Sequence, residues 1–430
     1  MFYHQASFLI NNITEFKQQI LSWANQFNIC CFLDNNQYNL PHSNIECLVA
    51  VNPIHQLKVE NNSLQQLQKF ITQHQKKWIF GHVSFEVKDE IYNTTSKHEN
   101  KVNFPLLYFF IPEIVIELKN NQANFYSTNN NVEELFTTIK NSATTTTSIS
   151  SNKENLTIQS KISKQTYLAA IEQLQQHIKR GDCYEINFCQ EFFAQNVNIN
   201  PIEVYQQLSK ISPNPFACFY KLNENYLMCA SPERFIKKQD NTVISQPIKG
   251  TIKRNTANKK EDELLKQQLL NSKKDCSENV MIVDLVRNDL SKICKEGSVK
   301  VDELFGIYTF PQVHQMISTI TGEVEKDINF ASVLQATFPM GSMTGAPKKR
   351  VLELTEQYEK SKRGIYSGTV GYISPENNFD FNVVIRSIMY NAVEQYLSYQ
   401  VGGGITFYSN AENEYEECLL KAEAIRKVLS

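Results

Sequence analysis

The chain has 430 residues, of which 41% are apolar and 11% aromatic, enough for one large composite domain or two to three average ones. A formal net charge of −2 argues against a general nucleic-acid or membrane-surface role, since those partners call for a basic excess, so any anionic ligand has to be met by local cations. The ten cysteines have neither metal-ligand nor disulfide spacing, no apolar run reaches membrane-spanning length, and Met1 to Asn12 carries no basic-then-apolar leader, so a reduced, cytoplasmic protein is expected.

Residues 1 to about 140 read as short strands alternating with polar helices. Ile29 to Leu33, Cys47 to Val51, Trp78 to Val87 and Leu106 to Ile111 are strand-like, and Leu64 to Ile71 has helical spacing. His42, His55, His74 and His82 share no spacing and are expected to be structural or exposed. Asn141 to Glu154 is small, polar and unable to bury a core, which makes it a linker or long loop. The resulting divisions are 1–140, 141–155 and 156–430.

Beyond the linker, Tyr167, Ile171, Leu174 and Ile178 predict a helix ending near Gly181, and Tyr184 to Phe193 alternates as a strand. Phe216 to Leu222 and Tyr226 to Ala230 pair across a polar turn and lead to Ser231-Pro232-Glu233-Arg234. The segment Gln246 to Arg254, Q-P-I-K-G-T-I-K-R, sets one lysine, Lys249, after an apolar approach, and Gly250-Thr251 is expected to turn the chain there. An anion pocket beside an amine is one reading; an ordinary surface lysine is the other.

The helices around Val280 to Ile293 and Ala411 to Leu429 show the strongest patterns. In the last helix, Ser409 and Glu412 have capping-box spacing, and Glu414, Glu417 and Lys421 follow along one face. Asp275 and Glu278 form a matching acidic pair ahead of the apolar run of the earlier helix. Two such pairs are a solvated acidic face or a set of hard oxygen donors for magnesium. Asp284, Arg287, Asn288 and Asp289 are expected to form an internal polar network.

Phe338 to Lys348, F-P-M-G-S-M-T-G-A-P-K, is Gly-rich but lacks the residue order of a phosphate-binding loop. Gly402-Gly403-Gly404 lets a ligand approach the backbone, and Arg386 in V-V-I-R-S-I needs an anion.

Together P-I-K-G-T, S-P-E-R-F, E-N-V-M-I-V-D-L-V-R-N-D-L, G-S-M-T-G-A-P-K, S-G-T-V-G-Y, V-V-I-R-S, G-G-G-I and E-Y-E-E-C-L-L-K resemble the chorismate-utilising enzymes in content and order, strongly over Thr166 to Leu429. The resemblance implies an α/β (α+β) fold of two large β-sheets packed face to face with helices outside, the N-terminal third contributing to both. Lysine at position 249 is typical of the aminodeoxychorismate synthase component I branch, whereas the anthranilate synthase component I branch usually has alanine. That branch assignment implies attack of Lys249 on carbon 2 of chorismate, with ammonia then adding at carbon 4 to give 4-amino-4-deoxychorismate. Anthranilate synthesis and a non-catalytic chorismate-binding paralogue are the alternatives.

By the same resemblance Glu233 is the general acid/base. Glu278 and Glu417, with Glu414 and Asp275 nearby, hold Mg2+ on the ring carboxylate, where Gly250, Thr251 and Lys421 complete the pocket. Tyr372, Arg386 and the backbone N–H groups of Gly402 and Gly404 hold the enolpyruvyl carboxylate. Ammonia is expected from a separate glutaminase subunit in a heterodimer, with no nucleic acid or membrane as partner. Lys249 has to be desolvated or placed near another cation to react as a free amine.

Two positions depart from the family pattern. Gln315 stands where a histidine is frequent, so acid assistance falls to Glu233 or to the neighbouring His314. Glu185 stands where water-adding relatives have a lysine, which argues against water as nucleophile. Some relatives also bind an aromatic amino acid between the N-terminal strands and Pro215-Phe216-Ala217, and the match around Ser43 leaves that open.

Overall fold

A computed structural model describes residues 3–38, 42, 45–142 and 156–430. Twenty strands join in one antiparallel network, which the long strands Cys47–Val59 and Leu107–Lys119 divide into two wings. Each of these strands is longer than its apolar run, and their mutual register shifts between Pro53 and His55.

The first wing runs, in spatial order, His4–Leu9, Gln122–Ser127, Leu107–Lys119, Cys47–Val59, Ile29–Asp34, Phe216–Leu222, Asn225–Ser231, Ser387–Asn391, Tyr396–Ile405 and Glu185–Ala194. The second starts from the same long strand and continues through Ile79–Val83, Thr369–Ile373, Phe379–Asn382, Arg234–Gln239, Thr242–Gln246 and Val313–Glu323. Ile248–Lys253 and Lys300–Thr309 complete it beside Val313–Glu323.

Residues alternate between two cores because successive strand side chains point to opposite faces. Leu48, Ala50, Tyr220 and Leu227 of the first wing meet Phe80, Phe109, Phe381 and Ile236 of the second in the core between the wings. Their sequence neighbours Val49, Phe219 and Met228 pack outward with residues of the helices Ile13–Ala24, Lys164–Lys179 and Pro201–Ile211. The N-terminal strands thus pair with strands encoded far later, Ile29–Asp34 with Phe216–Leu222 and Ile79–Val83 with Thr369–Ile373. Among the described residues, strands from before residue 140 and after residue 156 share one network. The polar stretch itself, apart from Asn141 and Ser142, lies outside the described residues, as does Ser43.

Three local expectations change. The C-terminal helix is two, Ala411–Lys421 and Glu423–Leu429, and its cap is Asn410, whose side chain accepts from the Asn413 N–H. Ser409 instead donates to Glu414 at 2.8 Å. Of the expected internal network, Asp284 and Arg287 pair on the surface, while Asp289 is buried against Lys348 at 2.5 Å.

Candidate active site

The chain crosses from one wing to the other at two adjacent places, and the proposed chemistry gathers there. Pro232-Glu233 joins the strand Asn225–Ser231 to Arg234–Gln239, and Val383 to Arg386 joins Phe379–Asn382 to Ser387–Asn391. The crossings are tied together by hydrogen bonds from the Val383 N–H to the Glu233 carbonyl at 3.0 Å and from the Ala230 N–H to the Arg386 carbonyl at 3.2 Å.

Lys249 lies on Ile248–Lys253, a strand and not the expected turn. Its register against Val313–Glu323 shifts between Ile248 and Thr251, and Gly250 in this irregularity has φ +97°. A bulge of this kind re-aims a side chain without ending the strand. A side chain on Gly250 would also press on Asp275, whose Cβ lies 3.0 Å from where a Cβ would stand.

The Lys249 amine is almost enclosed, 12% exposed, and touches Glu185 Oε1, with Glu278 Oε2 at 3.4 Å. Gly404 makes that contact possible: a methyl group there would collide with both Lys249 Nζ and Glu185 Oε1. Burial alone lowers the pKa of this amine, but the Glu185 and Glu278 carboxylates outweigh it and hold the pKa above the ordinary lysine range. Of the two expected conditions, desolvation is present, while the immediate neighbours of the amine are two anions and not a cation. Sequence reasoning did not find the pairing because Glu185 is 64 residues away on the opposite wing.

Glu233 is 4% exposed and accepts a hydrogen bond from Ser342 Oγ at 2.5 Å. Burial pushes its pKa up to about 7, against the opposing effects of Ser342, Lys249 and the Ile248 N–H. Such a carboxyl group is poised to give and take a proton near neutrality. Its neighbour Arg234 does not pair with it, engaging Asp380 through two hydrogen bonds at 2.9 and 3.0 Å.

The acidic pairs converge from the helices Lys273–Ser291 and Ala411–Lys421. Lys274 lies between them, 3.4 Å from Glu414 and 3.9 Å from Glu278, while Glu417 pairs with Lys421 at 2.8 Å. Asp275 accepts from Ser272 Oγ at the start of its helix. Among the described residues no three acidic, histidine or cysteine groups close into a metal cage. The donors nevertheless fit magnesium, which takes one or two carboxylates and completes its shell with water and substrate oxygens. Glu278 Oε1 is buried without a hydrogen-bond partner, and buried Glu414 approaches from the facing helix.

Lys421 also donates to the Gly402 carbonyl at 3.1 Å, and Arg386, at φ +53° in the crossing segment, donates to the Lys421 carbonyl at 3.1 Å. Among the described residues Arg386 forms no salt bridge; burial lowers its pKa, and Tyr366 and Glu417 oppose that electrostatically. Gly402 and Gly404 stand opposite Cys189 and Asn187 on the strand Glu185–Ala194. Thr251 is exposed opposite Gln315.

Two expected residues are not brought to this place. Tyr372 lies against Trp78 and Phe80 and lines a cavity with Leu33, Phe216, Arg234 and Asp380. It belongs to a strand whose neighbours are Ile79–Val83 and Phe379–Asn382, away from Arg386; the phenol that acts electrostatically on Arg386 is Tyr366, the residue just before the S-G-T-V-G-Y motif. His314 is held by Asp262 and Thr309, each at 3.0 Å, which removes it as an acid for the site. Gln315 is buried with its Oε1 unpartnered.

The model of the chorismate binding enzyme family matches residues 29–427. The chain belongs to that family. It is 37% identical over 283 residues to aminodeoxychorismate synthase component 1 of Escherichia coli, covering 65% of this chain and 62% of that one. It is 33% identical over 327 residues to anthranilate synthase component 1 of Saccharolobus solfataricus, covering 76% and 74%. Against chloroplastic relatives from Oryza sativa and Arabidopsis thaliana, named probable aminodeoxychorismate synthase and aminodeoxychorismate synthase, the matched stretch spans only 31% and 39% of their length. Anthranilate synthase component I of Streptococcus pneumoniae has the same fold, with a TM-score of 0.77 at 24% identity over 91% of this chain and 94% of that one. The two-sheet α/β architecture is therefore that of the chorismate-utilising enzymes.

Proposed function

We propose that this chain forms 4-amino-4-deoxychorismate from chorismate and ammonia, the activity named for its E. coli relative. The observation that carries the proposal is the desolvated amine of Lys249, seated at Gly404 between the wings where a carboxyl group titrating at about 7 also lies.

In the first step a Lys249 Nζ–C2 bond forms, the ring double bonds shift, and the C4–O bond breaks. The oxygen leaves as water with the proton of Glu233, and the carboxylate so formed takes a proton from the alkylated amine. In the second step the ammonia nitrogen bonds to C4, the double bonds shift back, and the Nζ–C2 bond breaks as Glu233 gives its proton to the departing Nζ and then takes one from the new C4 ammonium. Chorismate and ammonia become 4-amino-4-deoxychorismate and water. A positioned acid/base of this kind contributes roughly 10²–10⁴-fold.

The remaining residues bind and orient. Arg386 and Tyr366, with the backbone at Gly402 and Gly404, receive the enolpyruvyl carboxylate, and Lys421, Gly250 and Thr251 flank the ring carboxylate. Glu278, Glu414 and Glu417, with Asp275 behind them, would hold magnesium, which when bound neutralises carboxylate charge and ligates the ring carboxylate. Removing charge around Glu278 favours the unprotonated amine that attack requires. Ammonia comes from a separate glutaminase subunit, consistent with the component numbering in the names of the bacterial relatives.

The chain incubated with chorismate, magnesium chloride and ammonium chloride is expected to yield 4-amino-4-deoxychorismate. Without ammonium, mass spectrometry should find a covalent adduct on Lys249. Accumulation of anthranilate, the product in the name of the S. solfataricus relative, would overturn the assignment.

A further inference from the structure

Glu185 holds two oxygens in the site, and only one of them has a partner. Oε1 contacts Lys249, whereas Oε2 is buried and accepts no hydrogen bond; the residue as a whole is 3% exposed. A buried carboxylate oxygen without a donor is costly, and a native structure that keeps one calls for a ligand or a water to satisfy it. Glu185 also differs from the acidic residues assigned to the metal. It comes from the strand Glu185–Ala194, whereas Glu278, Glu414 and Glu417 come from the two helices.

Access and charge identify the missing donor as small and cationic or strongly hydrogen-bonding. Glu185 is the first residue of its strand, directly after Tyr184, which is 68% exposed. The opposing strand ends at Ile405 and is followed by Phe407 and Tyr408, 52% and 86% exposed, so this end of the pair of strands reaches solvent. Glu278 is shared between Lys249 at 3.4 Å and Lys274 at 3.9 Å, so Glu185, whose one cationic partner is Lys249, keeps an acceptor oxygen free. A carboxylate oxygen accepts hydrogen bonds from a nitrogen that carries several N–H donors, and it does so more strongly if that nitrogen is charged.

We propose that Glu185 is the ammonia-binding residue of this site, with Oε2 accepting a hydrogen bond from the incoming nitrogen beside the Lys249–substrate bond. The inference rests on the functional reading above, in which ammonia is the second substrate. Glu185 thereby sets the position and effective concentration of the nucleophile, and the side chain that occupies Lys249 in the resting site also receives the group that later displaces it.

The test uses the full chain with chorismate, magnesium chloride and free ammonium chloride, comparing it with Glu185→Gln and Glu185→Ala. Two quantities are measured for each: the ammonium KM at saturating chorismate, and the rate of Lys249 adduct formation without ammonium. Because Glu185→Gln keeps an oxygen for Lys249, its ammonium KM should rise by at least ten times the factor by which its adduct rate falls, with a larger rise in Glu185→Ala. An unchanged ammonium KM overturns the proposal, as does an adduct rate that falls as far as turnover, since Glu185 would then serve Lys249 alone or hold only water. Failure of the functional reading itself looks different: the unsubstituted chain then forms neither the Lys249 adduct nor the 4-amino product.

Discussion

The molecule contains two places where charged groups are withdrawn from water between its sheets, and they are built in opposite ways. Around Arg234 every guanidinium nitrogen has an acceptor: Asp380 takes two hydrogen bonds, Gln246 and the His42 carbonyl take others, and the guanidinium lies 4.8 Å over the ring of Phe216. Around Lys249 the acceptors outnumber the donors, and Glu185 Oε2 and Glu278 Oε1 are left without hydrogen bonds. A satisfied buried network fixes one structure, whereas an unsatisfied one spends stability to stay ready for a ligand. The contrast assigns the first place to the scaffold and the second to chemistry, although both hold charged side chains that are mostly buried.

Substitutions should separate the two places. The largest expected effect is Lys249→Ala, which removes the nucleophile: turnover of chorismate with ammonium should fall by roughly 10³-fold or more, with the thermal midpoint little changed. Retention of full activity would leave the pathway possible but end the covalent mechanism. Next comes Glu233→Gln, expected to cost roughly 10²–10⁴-fold in the rate of adduct formation. The acid form of Glu233 is the active one in that step, so in the unsubstituted chain the slope of log adduct rate against pH should fall by one as pH rises through about 7, and this bend should vanish in the variant.

At the scaffold the effect should appear in stability. Arg234→Ala strands Asp380 without its buried partner and is expected to cost about 3–5 kcal/mol in urea unfolding. A loss below about 1 kcal/mol would erase the distinction between the two places. A smaller change distinguishes the two tyrosines. Tyr366→Phe should raise the chorismate KM about tenfold, the value of one hydrogen bond to a charged group, whereas Tyr372→Phe should leave it within about twofold.

The smallest effect concerns pH and stability together. Glu233 keeps its proton in the folded state up to about 7, while in the unfolded chain it loses it near the ordinary value of 4.5. The stability this lends is complete below 4.5 and is lost as pH rises through about 7, so Glu233→Gln should flatten unfolding free energy across that window.

Much of the site was legible because its residues repeat at helical intervals. Asp275 with Glu278 and Glu414 with Glu417 each stand one turn apart, and in the structure Lys274 reaches one member of each pair, Glu278 and Glu414. Lys249 and Arg386 were visible as lone charges in apolar company. What stayed hidden depends on register and crossing geometry, which no local pattern encodes. Glu185 and Lys249 meet only because a strand of one wing ends over a bulge in the other. Lys274 carried no sequence signal but reaches both acidic helices, and Ser342 sat within a glycine-rich segment with no sign that it would grip Glu233. Tyr372 ends the S-G-T-V-G-Y motif and drew the assignment, while Tyr366, the residue just before that motif, carried no signal of its own; the strand Thr369–Ile373 takes Tyr372 to the cavity at Arg234 and Asp380.

The interleaving of early and late strands also imposes an order of events at the ribosome. Ile29–Asp34 cannot acquire its neighbour Phe216–Leu222 until about 180 more residues have been made, which at usual elongation rates is roughly 10–40 s. During that interval it presents an apolar, unpaired edge, the kind of surface that invites the wrong strand. A folding helper that binds extended apolar segments would be needed most while the middle of the chain is being synthesised.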